Sequence, residues 1–248
     1  MTTPLDAFGP GMIYVTRTDV ANSTPINIGY AQEFAPEFSG TIKELFGQNQ
    51  FPLDAARGTV KVTAKIKAAV LSGLAWNTAF FGNTFTTGGI QWNVGEVKPI
   101  PTTPFQVTVN NAAQFEQDFG VVDPATNLPF IKVAASPTTG QYSVSNVGVY
   151  TFAAADTGKS VAITYTSTVT TGQKLVITNQ LLGSSPIFRL DYYTIRANKA
   201  FIVRFNQCQT SKLSMAAKME DFMHPEFEVH MFADAAGNLG TMFFPEVA

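Results

Sequence analysis

Charge, histidine and cysteine are all scarce in this chain, and each scarcity removes a class of function. Charged residues make up 14% of the 248 positions, against a usual figure of about 25%. The single cysteine, Cys208, excludes an intramolecular disulfide and suits synthesis in a reducing cytosol. With only two histidines, His224 and His230, a metal site would have to recruit Glu226 or Glu228, and the spacing matches no zinc motif. On an extended segment those four residues share one face, which reads as the polar face of a strand. Nucleophile elbows, phosphate-binding glycine loops and dinucleotide fingerprints are all missing. Asp118, Asp123, Glu226 and Glu228 supply carboxylates, but nothing in the sequence sets two of them across a sugar. The reading is therefore a non-enzyme with no catalytic residues, no metal and no cofactor.

Long apolar runs are missing too. No stretch of 18 apolar residues occurs, so membrane insertion by this chain is not expected. The opening Met1-Thr-Thr-Pro-Leu-Asp6 has neither a basic region nor an apolar core, which argues against secretion by a signal peptide. A net charge of −2 and a pI near 5.7 argue against a protein that grips nucleic acid through a basic patch. Contact with DNA is compatible with this charge if it is non-adhesive.

What the chain does have is apolar material: 45% hydrophobic residues, a mean hydropathy of +0.08 and 21 phenylalanines. A weakly charged surface suits a subunit that buries much of itself against copies, because desolvating charge at an interface is costly. Trp76, Trp92, Tyr192 and Tyr193 could form a platform for a carbohydrate, although Trp76 lies on an apolar helix side and reads as core.

Short alternating segments point to a mainly β fold. Met12–Thr16 and Pro25–Tyr30 read as two strands. Gly73–Gly82, with glycine at both ends and Leu74, Trp76, Ala79, Phe80 and Phe81 on one side, reads as a short helix plugging a sheet. The Pro-rich Lys98–Pro104 marks a boundary. Residues 105–171 then form a small inserted β-sandwich in which Gly148–Phe152 and Ser160–Tyr165 make a hairpin around 154–159. Residues 1–104 and 172–248 form one discontinuous domain. Within it a hairpin turning at Ala197-Asn-Lys199 aligns Phe188, Leu190 and Tyr192 with Phe201, Val203 and Phe205. Glu226–Phe232 and Thr241–Phe244 flank Asp234–Asn238 as a closing hairpin. A weak echo links Glu33–Phe38 to Asp221–Phe227.

The most informative stretch is 44–71. A loop over Glu44–Gly58, punctuated by Gly47, Pro52 and Gly58, carries Leu45, Phe46, Phe51 and Leu53, which a free loop has little reason to expose. Their cover is either the parent domain or a neighbouring subunit. A strand follows in which Val60, Val62, Ala64, Ile66, Ala68 and Val70 recur with period two. Lys61, Lys65 and Lys67 lie on its other face, as a solvated edge or as a subunit seam.

The run Phe46–Thr59, the lysine-bearing strand after it and the helix to Gly82 resemble the tail tube (major tail) proteins of tailed bacteriophages. Gln207–Leu213, Glu220–Phe227 and Phe232–Asn238 extend the likeness, and Gly140–Val144 with Tyr150–Tyr165 is similar to small β modules inserted in phage structural proteins. The resemblance implies a tail-tube β-sandwich or orthogonal two-sheet fold with a short flanking helix and the module on the outer surface. It implies hexameric rings stacked into a conduit for genome delivery, in a virion tail made in the bacterial host cytoplasm. The implied partners are copies of the chain, a tape measure protein, a tail terminator and distal tail or baseplate proteins, with double-stranded DNA passing without specific contact. On this reading Leu45, Phe46, Gln48, Phe51, Pro52, Leu53 and Arg57 anchor the loop in a neighbour. Lys61, Lys65 and Lys67 sit on a seam paired with acids, or are balanced by lumen acids such as Glu33 and Glu37. The other reading is a capsid decoration or host-adhesion protein whose module takes a glycan.

Overall fold

The computed structural model describes residues 11–70, 72–196, 199–219 and 221–244. Met1–Asp6 and the residues Ala197 and Asn198, on which two expectations fall, lie outside them. In chain order the elements are β1 (Gly11–Arg17), β2 (Ile26–Phe46), β3 (Pro52–Ala68), helix α1 (Gly73–Trp76) with a π-helical turn Asn77–Phe81, and β4 (Phe85–Pro99). Then come β5 (Gln106–Thr108), β6 (Phe115–Val122), β7 (Ile131–Lys132), β8 (Gln141–Val144), β9 (Val149–Phe152) and β10 (Ser160–Leu175). Last are β11 (Phe188–Arg196), β12 (Lys199–Lys218), β13 (Asp221–Phe232) and β14 (Gly240–Phe243). The fold is mainly β, in several sheets, with one short helix.

Two compact units result, Met1–Thr84 with Ile177–Ala248, and Phe85–Val176. The second begins before the Pro-rich connector rather than after it. The reason is β4, which pairs with β10 along almost its whole length, from Phe85 opposite Leu175 to Pro99 opposite Ser160. The connector thus joins two strands of one unit, and the boundaries expected at 105 and 171 move outward to 85 and 176.

In the first unit the ladders run β1–β2, β2–β3, β3–β13, β13–β12, β12–β11 and back from β11 to β1, all antiparallel. The sheet therefore closes on itself as a small barrel, which removes most of the edges that an open sheet must protect. Alternate residues point inward: Ile13 and Val15, Ala64 and Ile66, Phe188 and Leu190, Val203 and Phe205, Phe227 and Val229 are all buried. Of the period-two pattern over Val60–Val70, residues 62–68 mark this face, whereas Val60 and Val70 at its two ends are exposed, beyond the β3–β13 ladder and beyond the end of β3. The aromatic rows of β11 and β12 meet as their spacing predicts. Ser72 caps α1 by accepting a hydrogen bond from the Ala75 amide (3.3 Å), and Gly82 ends the following turn in a left-handed conformation. Ala75, Ala79 and Trp76 of this helical segment pack on the barrel core.

The two expected hairpins are corrected. β13 and β14 do not pair with each other. Both lie on the side of β12 away from β11, β13 along 207–218 and β14 along 202–205. The 233–239 segment, turned by Asp234 accepting from the amides of Ala236 and Asn238, therefore steps along one strand. Likewise β9 and β10 belong to different sheets of the second unit: β5-β9-β8-β7 and β4-β10-β6. The 154–159 segment crosses between them and is held by the buried Asp156, which accepts from the Gly140 amide and from Lys159 Nζ, both at 2.8 Å. The two sheets enclose Val121, Tyr150, Phe152, Val161, Ile163 and Tyr165.

Candidate assembly surface

The expected loop over 44–58 is mostly strand. β2 and β3 continue as a two-stranded ribbon well past the barrel, with Gly40 opposite Val60, Ile42 opposite Arg57, Leu45 opposite Asp54 and Phe46 opposite Pro52. Only 47–51 turn the chain. The last β3 residue paired with β13 is Val62, opposite Met231; from Lys61 to the turn, β3 has β2 as its paired strand. Glycines explain how the ribbon packs so thinly. A Cβ at Gly47 would lie 2.7 Å from Leu53 Cδ1, because Leu53 folds across the turn. A Cβ at Gly40 would lie 3.3 Å from Arg57 Cδ, because the Arg57 stem crosses a register shift between Gly40 and Ile42.

Every residue expected to anchor this arm is exposed on it: Leu45, Phe46, Gln48, Phe51, Pro52, Leu53 and Arg57. Phe51 is 80% exposed and Phe46 is 56% exposed. Ile42 and Leu45 sit an odd number of positions apart and so face opposite sides, which makes the ribbon apolar on both. Val60, expected on the apolar face of the strand, is instead exposed on the arm, because it lies past the last residue that β3 pairs with β13. Ile42, exposed on the facing strand, was not singled out in the sequence. A two-stranded ribbon on its own is marginal in water, and this one leaves apolar side chains in solvent on both faces.

The lysines separate. Lys61 lies in the arm, opposite Ser39. Lys65 and Lys67 lie on the outer face of the barrel, where Lys67 stands between Glu33 on β2 and Glu226 on β13, and Lys65 is opposite Glu228. Lys212 on β12 is opposite Glu228 in turn. These residues, with Ser214, line a shallow depression of about 200 Å³. Acids alternate with lysines across four neighbouring strands, so the lysines do not form a basic stripe. Glu37, opposite Thr63, lies further along the same outer face as Glu33. His224, Glu226, Glu228 and His230 do alternate along this face of β13, but among the described residues no group of three or more His, Cys, Asp or Glu is placed to hold a metal ion. The echo segments flank β3 on its two sides, where Phe34 and Phe227 both sit opposite Ile66.

A second protrusion went unread. β12 and β13 pair with each other beyond the barrel, from Met215 opposite Pro225 to Lys218 opposite Asp221. Exposed on this hairpin are Met215, Met219, Phe222 and Met223, with Met219 fully open and Phe222 84% exposed. Its signal was density: three of the chain's seven methionines fall within 215–223.

The second unit carries an aromatic pair of its own. Trp92 on β4 is 57% exposed, and its ring centroid lies 4.3 Å from that of Phe119 on β6, with Ile90 and Val94 exposed nearby along β4. The carboxylates there have structural partners. Asp118 accepts hydrogen bonds from Tyr142 Oη (2.8 Å), Tyr150 Oη (2.9 Å) and the Gly120 amide (3.0 Å), and pairs with Lys132 Nζ at 2.9 Å. Burial pushes its pKa up, but the lysine, both phenols and the amide outweigh this and hold it below the ordinary aspartate value. The same burial, with the carboxylate beside them, raises both phenols.

Neither family models nor curated proteins compared with the chain give a match. No helix among the described residues is long and apolar enough to cross a membrane.

Proposed function

We propose that this chain is a self-assembling structural protein of a tailed phage virion, the tail tube subunit, whose hexameric rings stack into a conduit for the genome. The observation that carries the reading is the β2–β3 arm, an apolar ribbon extended beyond the barrel with Leu45, Phe46, Phe51 and Leu53 in solvent. Such side chains act as anchors when they enter pockets of a neighbour. The low charge content and the alternation of Lys65 and Lys67 with Glu33, Glu226 and Glu228 support the same reading, because a neutralised face can lie against a copy or a passing duplex without gripping phosphate. Its other partners are then the tape measure, terminator and distal tail proteins. Electron microscopy and sedimentation of the purified chain test it. Rings or tubes should form as concentration rises, and a strictly monomeric product in every condition refutes it.

A second reading has its own observation in the Trp92–Phe119 pair. An exposed tryptophan beside a second ring on a sheet face suits stacking against a sugar, as in a decoration or host-adhesion protein. Glycan-array binding that disappears in Trp92→Ala favours that reading, and no glycan binding by the intact chain removes it.

A further inference from the structure

The two apolar hairpins leave the shared β3–β13 ladder in opposite directions. That ladder runs from Val62 opposite Met231 to Lys67 opposite Glu226. The arm continues past its Val62 end, through Lys61 to the turn at 47–51, while the β12–β13 hairpin continues past its Glu226 end to Met219. Displacing one copy along the strand direction therefore carries the arm of that copy toward the β12–β13 tip of the next. The chemistry of the two ends is complementary in kind. The arm presents rigid aromatic side chains, and the tip presents Met215, Met219 and Met223, whose unbranched thioethers adapt their shape to a ring and make favourable sulfur–aromatic contacts.

We propose that the β12–β13 tip, Met215, Met219, Phe222 and Met223, is the seat for the β2–β3 arm of the next copy. The inference rests on the tube reading and adds to it the identity of the receiving surface. A joint between two different patches on each copy is head to tail, and when the displacement has a component along the axis it repeats without closing. Growth in one dimension follows from a single chain, with no second protein needed to supply the seat.

Cross-linking within assembled particles tests this. Asn49→Cys at the exposed turn of the arm and Met219→Cys at the tip are placed on separate copies, mixed, assembled and treated with a short bismaleimide; Cys208 is buried. The expected result is a covalent dimer joining the two variants, at least tenfold more abundant than when Val20→Cys, exposed elsewhere in the same unit, replaces Met219→Cys. Particles without the 49–219 product overturn the seat and leave the tube reading standing. Failure of the unsubstituted chain to form particles in any condition overturns both. If the cysteine variants alone fail to assemble, Phe222→Asp and Phe222→Leu decide the matter. Loss of stacking in the first with retention in the second supports the seat, and stacking in both overturns it.

Discussion

Replacing Phe51 by alanine separates an assembly anchor from a structural residue, because the two roles predict opposite pairs of outcomes. At 80% exposure, Phe51 gives the isolated subunit little. Its truncation should alter subunit stability by no more than about 0.5 kcal/mol, a shift in Tm of about 2 °C for a chain of this size. In a joint the same ring passes from water into a pocket. Burying most of a phenylalanine is worth about 1.5–3 kcal/mol at roughly 25 cal/mol per Å², and about 1.4 kcal/mol corresponds to a factor of ten in affinity. The concentration at which particles first form should therefore rise about 10- to 100-fold in Phe51→Ala, and further in Phe46→Ala/Phe51→Ala. Phe205, in the barrel core at 2% exposure, is the control: Phe205→Ala should cost about 3–5 kcal/mol and unfold the subunit at lower temperature. Sedimentation velocity over a dilution series, with thermal melts on the same samples, reads both quantities. Assembly of Phe51→Ala at the original threshold, or melting as early as Phe205→Ala, rules out an anchor role for Phe51.

Three further outcomes are expected. Asp118 is held below the ordinary aspartate value, so its contribution is complete above about pH 4 and declines as pH falls through its folded-state value; melts at pH 3, 5 and 7 should show that acid loss in the Phe85–Val176 unit, and Asp118→Asn should flatten it. Cys208 is buried and its thiol is raised by burial to about 12, so a thiol reagent at pH 8 should label the native chain on the order of a thousandfold more slowly than the denatured one; fast native labelling contradicts the closed ladder that Cys208 shares with Phe188 and Met231. Gly148 has φ of +68°, and a Cβ there would lie 2.8 Å from Val109 Cγ2, so Gly148→Ala should destabilise the second unit by about 1–3 kcal/mol in a chemical denaturation series; an unchanged midpoint contradicts it.

Local pattern made the fold class legible. The alternation over 62–68 and the aromatic rows at 188–192 and 201–205 each mark a buried strand face, and glycines at 73 and 82 bound the helical segment. Punctuation misled at 44–58, because Gly58 and Pro52 break a pattern without breaking a strand. Gly58 sits where a Cβ would come 2.7 Å from Thr41 Oγ1, a cross-strand contact invisible to a reading of one segment. Closure of the barrel was also beyond reach, since β1 meets β11 across most of the chain length and no local signal records that pairing. Of the candidate assembly surface, the exposed apolar residues of the arm stood out among turn formers. The methionine tip did not, because methionine in a strand reads as ordinary core filler until its exposure is known.

The barrel's discontinuity sets an order of events during synthesis. β1, β2 and β3 leave the ribosome early, but their ring needs β11, β12 and β13, which follow only after the whole Phe85–Val176 unit. That unit is continuous in sequence and can fold first, as domains generally do when they emerge. During this interval the nascent chain already carries the apolar residues of the arm but has not yet made the last ladders that complete the subunit, and such long-range closure is slow. On the proposed joint, the receiving hairpin is among the last elements translated. A half-made chain could then lend its arm but could not accept one, so polymerisation would be confined to finished subunits by the direction of translation itself.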